Sequence, residues 1–97
     1  MSYMNEFPNY DSQLYLPNGW TDSSFKGDPC PSVSKVYRNG ETEVEFVIWQ
    51  DYVDKSKREY DWQMRFMFQI NVDNVNVFRF ETDDINEIKK IVFMVTV

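Results

Sequence analysis

The residues of this chain that could do chemistry are one thiol, a large set of carboxylates and a small cluster of cations beside aromatic rings. Cys30, the single cysteine, lies between Pro29 and Pro31. A thiol reacts as its thiolate, and no neighbour in sequence would supply a base. Cys30 therefore reads as structural or incidental. The chain has no histidine. That removes the imidazole base that would activate a Ser or Cys nucleophile, and it removes His as a metal ligand. One cysteine cannot build a zinc site of the usual Cys/His type. Asp83, Asp84 and Glu87 have the type of calcium ligands, but their spacing lacks the glycine and the terminal glutamate of an EF-hand loop. They read as the acidic start of a helix. Gly19, Gly27 and Gly40 are isolated and make no phosphate-binding loop. A pair of carboxylates working as in a glycosidase needs a cleft between them, for which a 97-residue β domain has little room. The expectation is a protein with no catalytic residue, no metal and no cofactor.

Binding is better represented. Glu41, Glu43 and Glu45 alternate along one segment, so on a strand they share a face at about 7 Å spacing. That roughly matches the phosphate spacing of a nucleic-acid strand, and it equally suits a wet sheet face paired across to Lys35 or Arg38. Lys55, Ser56, Lys57 and Arg58 form a basic cluster near Trp49, Tyr52, Tyr60 and Trp62. Asp51, Asp54, Glu59 and Asp61 in the same stretch work against its holding a nucleic acid by stacking. Tyr15, Trp20, Trp49 and Tyr52 are the aromatics in excess of what one small core needs, and surface Trp and Tyr are typical of protein-binding hot spots and sugar-stacking platforms. The candidate partner-binding residues are thus Tyr15, Trp20, Glu41, Glu43, Glu45, Trp49 and Tyr52.

Charge narrows the partner. Sixteen acids against ten bases give a net charge of −6. Such a surface disfavours direct contact with nucleic acid or an anionic membrane, which needs Lys and Arg. It suits a basic protein partner, including a nucleic-acid-binding one whose site the acids would occlude. One cysteine forbids an internal disulfide and fits a reducing cytoplasm. No signal-like N-terminal segment, no long apolar run and no Asn-x-Ser/Thr sequon is present. No family is recognisable from these residues. In size, acidity and aromatic content the chain resembles, in general style only, small accessory or inhibitor proteins of viruses and phages, for which the host cytoplasm would be the location. The functional expectation is a non-enzymatic protein–protein interaction module. The alternative is a β module that binds a sugar or nucleotide on its surface aromatics.

The elements that must position these residues are strands. Residues 60–72 alternate without a break on the even positions: Tyr60, Trp62, Met64, Phe66, Phe68, Ile70 and Val72 are apolar. The odd positions are polar except Met67. This pattern predicts a strand with one dry face, with Phe66 and Phe68 at the centre of the core. Thirteen extended residues would span about 43 Å, so the strand is expected to curve or break. Asn39-Gly40 signals a hairpin joining 33–38 to 41–52, with its register open between a two-residue and a bulged three-residue turn. Residues 53–59 form a charged connection. Asp73-Asn74 predicts a second tight turn, and the phase slip at Val77-Phe78 predicts a β-bulge.

Residues 1–32 hold all four prolines and read as an irregular arm with one short strand at 13–16. Tyr3, Phe7, Tyr10, Tyr15, Trp20 and Phe25 suit packing on the β body, since disordered segments are poor in aromatics. At the other end a helical turn is expected at 83–87 and a final strand at 89–96, where Ile91, Phe93, Val95 and Val97 alternate. The fold class that follows is mainly β: a single domain over 1–97, built as a small antiparallel meander or partly closed barrel of four or five strands on 33–97, with one short helical turn and the arm packed on it. A homodimer is expected, with the 89–96 strand or the arm at the interface.

Overall fold

The computed structural model describes residues 2–59 and 63–96, and two short turns organise the middle of the chain. At the first, Asn39 faces Thr42 and the loop is Gly40-Glu41, one residue later than the sequence suggests. Gly40 has φ +64, the conformation that a two-residue hairpin with glycine in its first position requires. At the second, Val72 faces Val75, and Asp73 and Asn74 both have positive φ, at 48° and 67°. That is the mirror-image turn whose twist matches that of paired strands.

These turns yield one open antiparallel sheet in the order β1-β2-β3-β4-β5. The strands are β1 (Thr21–Asp22), β2 (Ser32–Asn39), β3 (Thr42–Gln50), β4 (Phe66–Val72) and β5 (Val75–Thr82). A short helix α1 (Tyr3–Glu6) precedes the sheet and helix α2 (Ile85–Thr96) follows it. A 3-10 turn, Lys55–Lys57, sits in the charged connection. The two edges do not meet, so the mainly β meander is a sheet and not a barrel.

Residues opposed across antiparallel strands share a face. Val33, Ile48, Phe68 and Phe80 form one row of the first face. Gln50 and Phe66 are opposed beyond it, and Phe46 and Ile70 on its other side. This face carries the core, in which Phe66, Phe68, Val33 and Ile48 pack with Trp20 from the arm and with Ile88 and Val92 from α2. Phe66 and Phe68 lie where the alternation put them, with Phe68 only 1% exposed. The bulge is also where the phase slipped: Ile70 pairs with Phe78 and Asn71 with Asn76, leaving Val77 as the extra residue. The Asn76 side chain spans the gap, its Nδ2 donating to the carbonyls of Ile70 and Phe78.

Four expectations need correction. The long strand starts at Phe66, not at 60. Positions 60–62 lie outside the described residues, and 63–65 are not strand although Asp51 N–H still bonds to the Arg65 carbonyl. The first hairpin's second strand ends at Gln50 and not at 52. The arm has no strand at 13–16. Tyr15 instead bonds to the Gln50 side chain, and the arm's two-residue strand is β1, where Thr21 faces Ser34 and Asp22 faces Val33. The predicted final strand is helix α2. There β-branched propensity loses to burial: only helical winding brings Ile85, Ile88, Ile91, Val92 and Val95 together against the sheet. The cost is Phe93, which the strand pattern assigned to a row of apolar partners and the helix leaves 72% exposed. Asp84 caps the helix by accepting the Asn86 N–H on Oδ1. With no strand at 89–96, the dimer edge expected there does not exist. The sheet's edges are β5 on one side and, on the other, the short β1 with the part of β2 beyond it.

Candidate functional site

The second face of the sheet is the one turned away from α2; on its β2 side Ser32, Ser34 and Val47 are buried, with the Ser23 hydroxyl of the arm bonded to that of Ser34, and its β4–β5 side is more open. Its rows are Ser32, Trp49, Met67 and Glu81; then Ser34, Val47, Gln69 and Arg79; then Val36, Glu45, Asn71 and Asn76. Where the first two rows approach the ends of β3 and β4 there is a half-open groove of about 280 Å³. Trp49, Met64 and Met67 provide its apolar surface, and Asp51, Gln69 and Arg79 are among its polar walls.

The Trp49 ring is fixed by a relay of side chains along this face. Its Nε1 donates to Gln69 Oε1 at 2.8 Å, Gln69 Nε2 donates to Asn71 Oδ1 at 3.0 Å, and Asn71 Nδ2 donates to Glu45 Oε1 at 3.1 Å. The relay turns two half-buried amides, Gln69 and Asn71, into a support that holds the indole in place.

Asp51 is the unusual group. It is only 5% exposed, yet it lines the groove. Its Oδ1 accepts the Tyr52 N–H at 2.9 Å, and its other oxygen has no hydrogen-bond partner among the described residues. Burial pushes its carboxyl above the usual range, against the Tyr52 N–H and the charge of Arg58, while Asp11 and Glu59 add to the rise. Arg65, which also borders the groove, is committed elsewhere. Its Nε donates to the Asp51 carbonyl at 3.2 Å, and its guanidinium lies 4.7 Å from the Phe66 ring centroid. Cys30 lines the same groove but is buried. Burial, and then the Asp51 charge, raise its thiol far above the ordinary value, so it is a protonated wall and not a nucleophile at neutral pH.

The seven residues singled out in the sequence are only partly brought together. Glu43, Glu45 and Trp49 share the second face. Glu43 pairs with Arg38 at 2.9 Å, one of the cross-strand partners anticipated for the acidic row. Glu41 sits in the hairpin loop, exposed. Tyr52 belongs to a separate chain of edge-on rings, 5.3 Å from Tyr10, which is 5.8 Å from Tyr3. Tyr15 packs on the opposite, core-bearing face with Lys89 Nζ over its ring at 5.6 Å. Trp20 is not a surface residue: it is 6% exposed and part of the core, its indole N–H without a partner among the described residues. The basic cluster is dismantled as well. Arg58 turns inward and donates to the carbonyls of Tyr52, Val53 and Gln63.

Sequence reasoning missed Asp51, Met64, Met67, Gln69 and Arg79 as groove residues. Met67 carried a signal, since it alone broke the polar half of the alternation in 60–72. Asp51 carried none, because its burial comes from chain segments distant in sequence. Among the described residues no cluster of three or more His, Cys, Asp or Glu could hold a metal, and no helix is long and apolar enough to cross a membrane. Asp83 and Asp84 are spent on backbone N–H groups, of Arg65 and Asn86, and Glu87 accepts the Thr82 hydroxyl. Comparison of the chain with protein-family models, curated proteins and solved structures finds no match.

Proposed function

We propose that this chain is a non-enzymatic, acidic protein-interaction module that holds a basic segment of a partner protein against the sheet face turned away from α2 and so occludes that segment. The observation that carries the reading is the groove at Trp49. A lysine or arginine side chain laid there would rest its stem on Trp49 and Met67 and bring its charged head to the Asp51 oxygen that has no hydrogen-bond partner among the described residues. Stacking on the indole would add a cation–π term. Trp, Met and Arg are the residue types that concentrate in protein interface centres, and Glu43 and Glu45 extend the acidic character along the same face. Arg79 at the rim is a local cation, so the fit depends on the buried carboxylate more than on the overall charge. The cytoplasm, or a host cytoplasm for a viral protein, is the proposed location, on the strength of one free, buried cysteine.

The second reading, a sugar or nucleotide stacked on Trp49, is less favoured by size. The groove, at about 280 Å³, falls just under the range of about 300–1,000 Å³ in which small-ligand pockets lie. It is ample for a single inserted side chain.

The test is a titration of the isotope-labelled chain with a short peptide rich in arginine and lysine, followed by NMR. The Trp49 indole N–H and amides of β4 and β5 should shift, the effect should fade as salt rises, and Trp49→Ala should abolish it. Shifts spread evenly over the surface, or none, would dispose of the proposal. Shifts at Trp49 with a neutral sugar or a nucleotide and not with the peptide would establish the second reading instead.

A further inference from the structure

We propose that β5 pairs with β5 of a second copy, antiparallel about a two-fold axis through Phe80, giving a homodimer with one continuous sheet. Strand β5 is an edge of the sheet. An edge strand presents unpaired N–H and C=O groups that another strand can satisfy. The bulge at Val77 bounds the usable part of this edge, leaving residues 78–82.

The sequence of that segment is complementary to itself. With Phe80 opposite Phe80 of the other copy, Arg79 lies opposite Glu81 and Glu81 opposite Arg79, both pairs on the face turned away from α2. Opposite charges placed directly across antiparallel strands attract. Arg79 and Glu81 are exposed and, among the described residues, make no ion pair or side-chain hydrogen bond within their own chain. The other free edge does not have this property. Centred on Tyr37, β2 would set Val36 against Arg38, and Arg38 is already paired with Glu43. Pairing β5 with that edge of β2 would be head-to-tail and would give an open chain of subunits, not a closed pair.

The two-fold axis stands perpendicular to the continuous sheet, so both copies of α2 lie on its same face. Helix α2 contacts β4 and β5, the strands nearest the axis. The helices therefore flank the dyad and bring Phe93 and Met94, 72% and 68% exposed, to the neighbourhood of the interface. Strand pairing over so short a segment is small against the ~1,200 Å² of a stable interface. The dimer accordingly belongs to the weak class, formed at tens to hundreds of micromolar.

Sedimentation equilibrium of the full chain over that concentration range tests this, with circular dichroism to confirm folding. The wild type should move from 11.7 kDa towards twice that mass. Arg79→Glu and Glu81→Arg should each weaken association by on the order of tenfold or more, because each sets like charges opposite one another. An equimolar mixture of the two variants should regain it, since the first variant then presents only acids at these two positions and the second only bases. The double exchange within one chain should also associate like the wild type. A wild type that stays at 11.7 kDa, single variants that dimerise normally, a mixture that stays monomeric, or growth into open polymers would each overturn the proposal.

Discussion

The side-chain amide of Gln50 makes both backbone hydrogen bonds of Tyr15: Oε1 accepts the Tyr15 N–H at 2.8 Å, and Nε2 donates to the Tyr15 carbonyl at 2.7 Å. Gln50 thus does with one side chain what a neighbouring strand would do with its backbone, and it does so while almost wholly buried. The arm is held to the sheet at this point without a ladder. Gln50→Leu should therefore leave two backbone groups unmet at a cost of about 1–3 kcal/mol. Hydrogen exchange should quicken in residues 13–20 and stay slow in β4. Unchanged exchange in the arm would show that its other contacts, among them Trp20 in the core, Leu14 against it and the Asp11 carboxylate on the Val53 and Asp54 N–H groups, hold it without Gln50.

Core packing sets the largest effect. Phe68 stacks on Phe46 with ring centroids 5.9 Å apart and meets Phe78 edge-on at 6.2 Å. Phe68→Ala should cost about 3–5 kcal/mol, measured as a fall in the urea midpoint without a change in slope. A variant that melts with the wild type would contradict the assignment of this face to the core.

Turn chemistry makes a smaller prediction of definite sign. Asn74 has φ +67 and Asp73 has φ +48, while Asp73 Oδ1 accepts the Glu43 N–H at 2.9 Å and ties the turn to β3. A β-branched residue tolerates that conformation poorly, so Asn74→Val should lose about 1–2 kcal/mol. Asn74→Gly should be neutral or stabilising. Thermal denaturation of both variants checks the pair.

Asp51 predicts a pH dependence. Its folded-state carboxyl is raised, chiefly by burial. A raised carboxyl favours the fold while it is protonated, and that contribution is lost as pH rises through the folded value. Asp51→Asn keeps an acceptor for the Tyr52 N–H and cannot ionise. It should be more stable than the wild type at neutral pH, with the gap closing as pH falls through the carboxylate range. Urea titrations at neutral and acid pH measure this. The same variant should bind the basic peptide more weakly, so stability and binding should move in opposite directions.

Much of this architecture was legible in the residues because strand periodicity and turn chemistry are local. Phe66 and Phe68 announced the core face, Asp73-Asn74 the turn, and Val77 the bulge. Helix α2 was not legible. Ile91, Val92, Val95 and Thr96 are good strand residues, and the helical reading won only because a sheet face was waiting to be covered, which no local window reveals. The groove was half legible. Trp49 stood out by type and Met67 by breaking a pattern. Asp51 looked like any other surface acid until residues far away in sequence closed around it. Trp20 erred the other way, a surface candidate by type that the β2–β3 register and the arm's path drew into the core.

Because α2 supplies Ile88 and Val92 to the core, order of synthesis matters. The ribosome delivers β1 to β5 before the helix, and each strand pairs with the one made just before it. A nascent chain can therefore zip up its hairpins early, yet Val33, Ile48, Phe66 and Phe68 have only the arm's Trp20, Leu14 and Tyr15 to cover them until the helix docks. During that interval the sheet is a sticky intermediate, vulnerable to pairing with other nascent chains. A chain cut after Thr82 should therefore leave the core-bearing face open and aggregate, whereas the full chain should not.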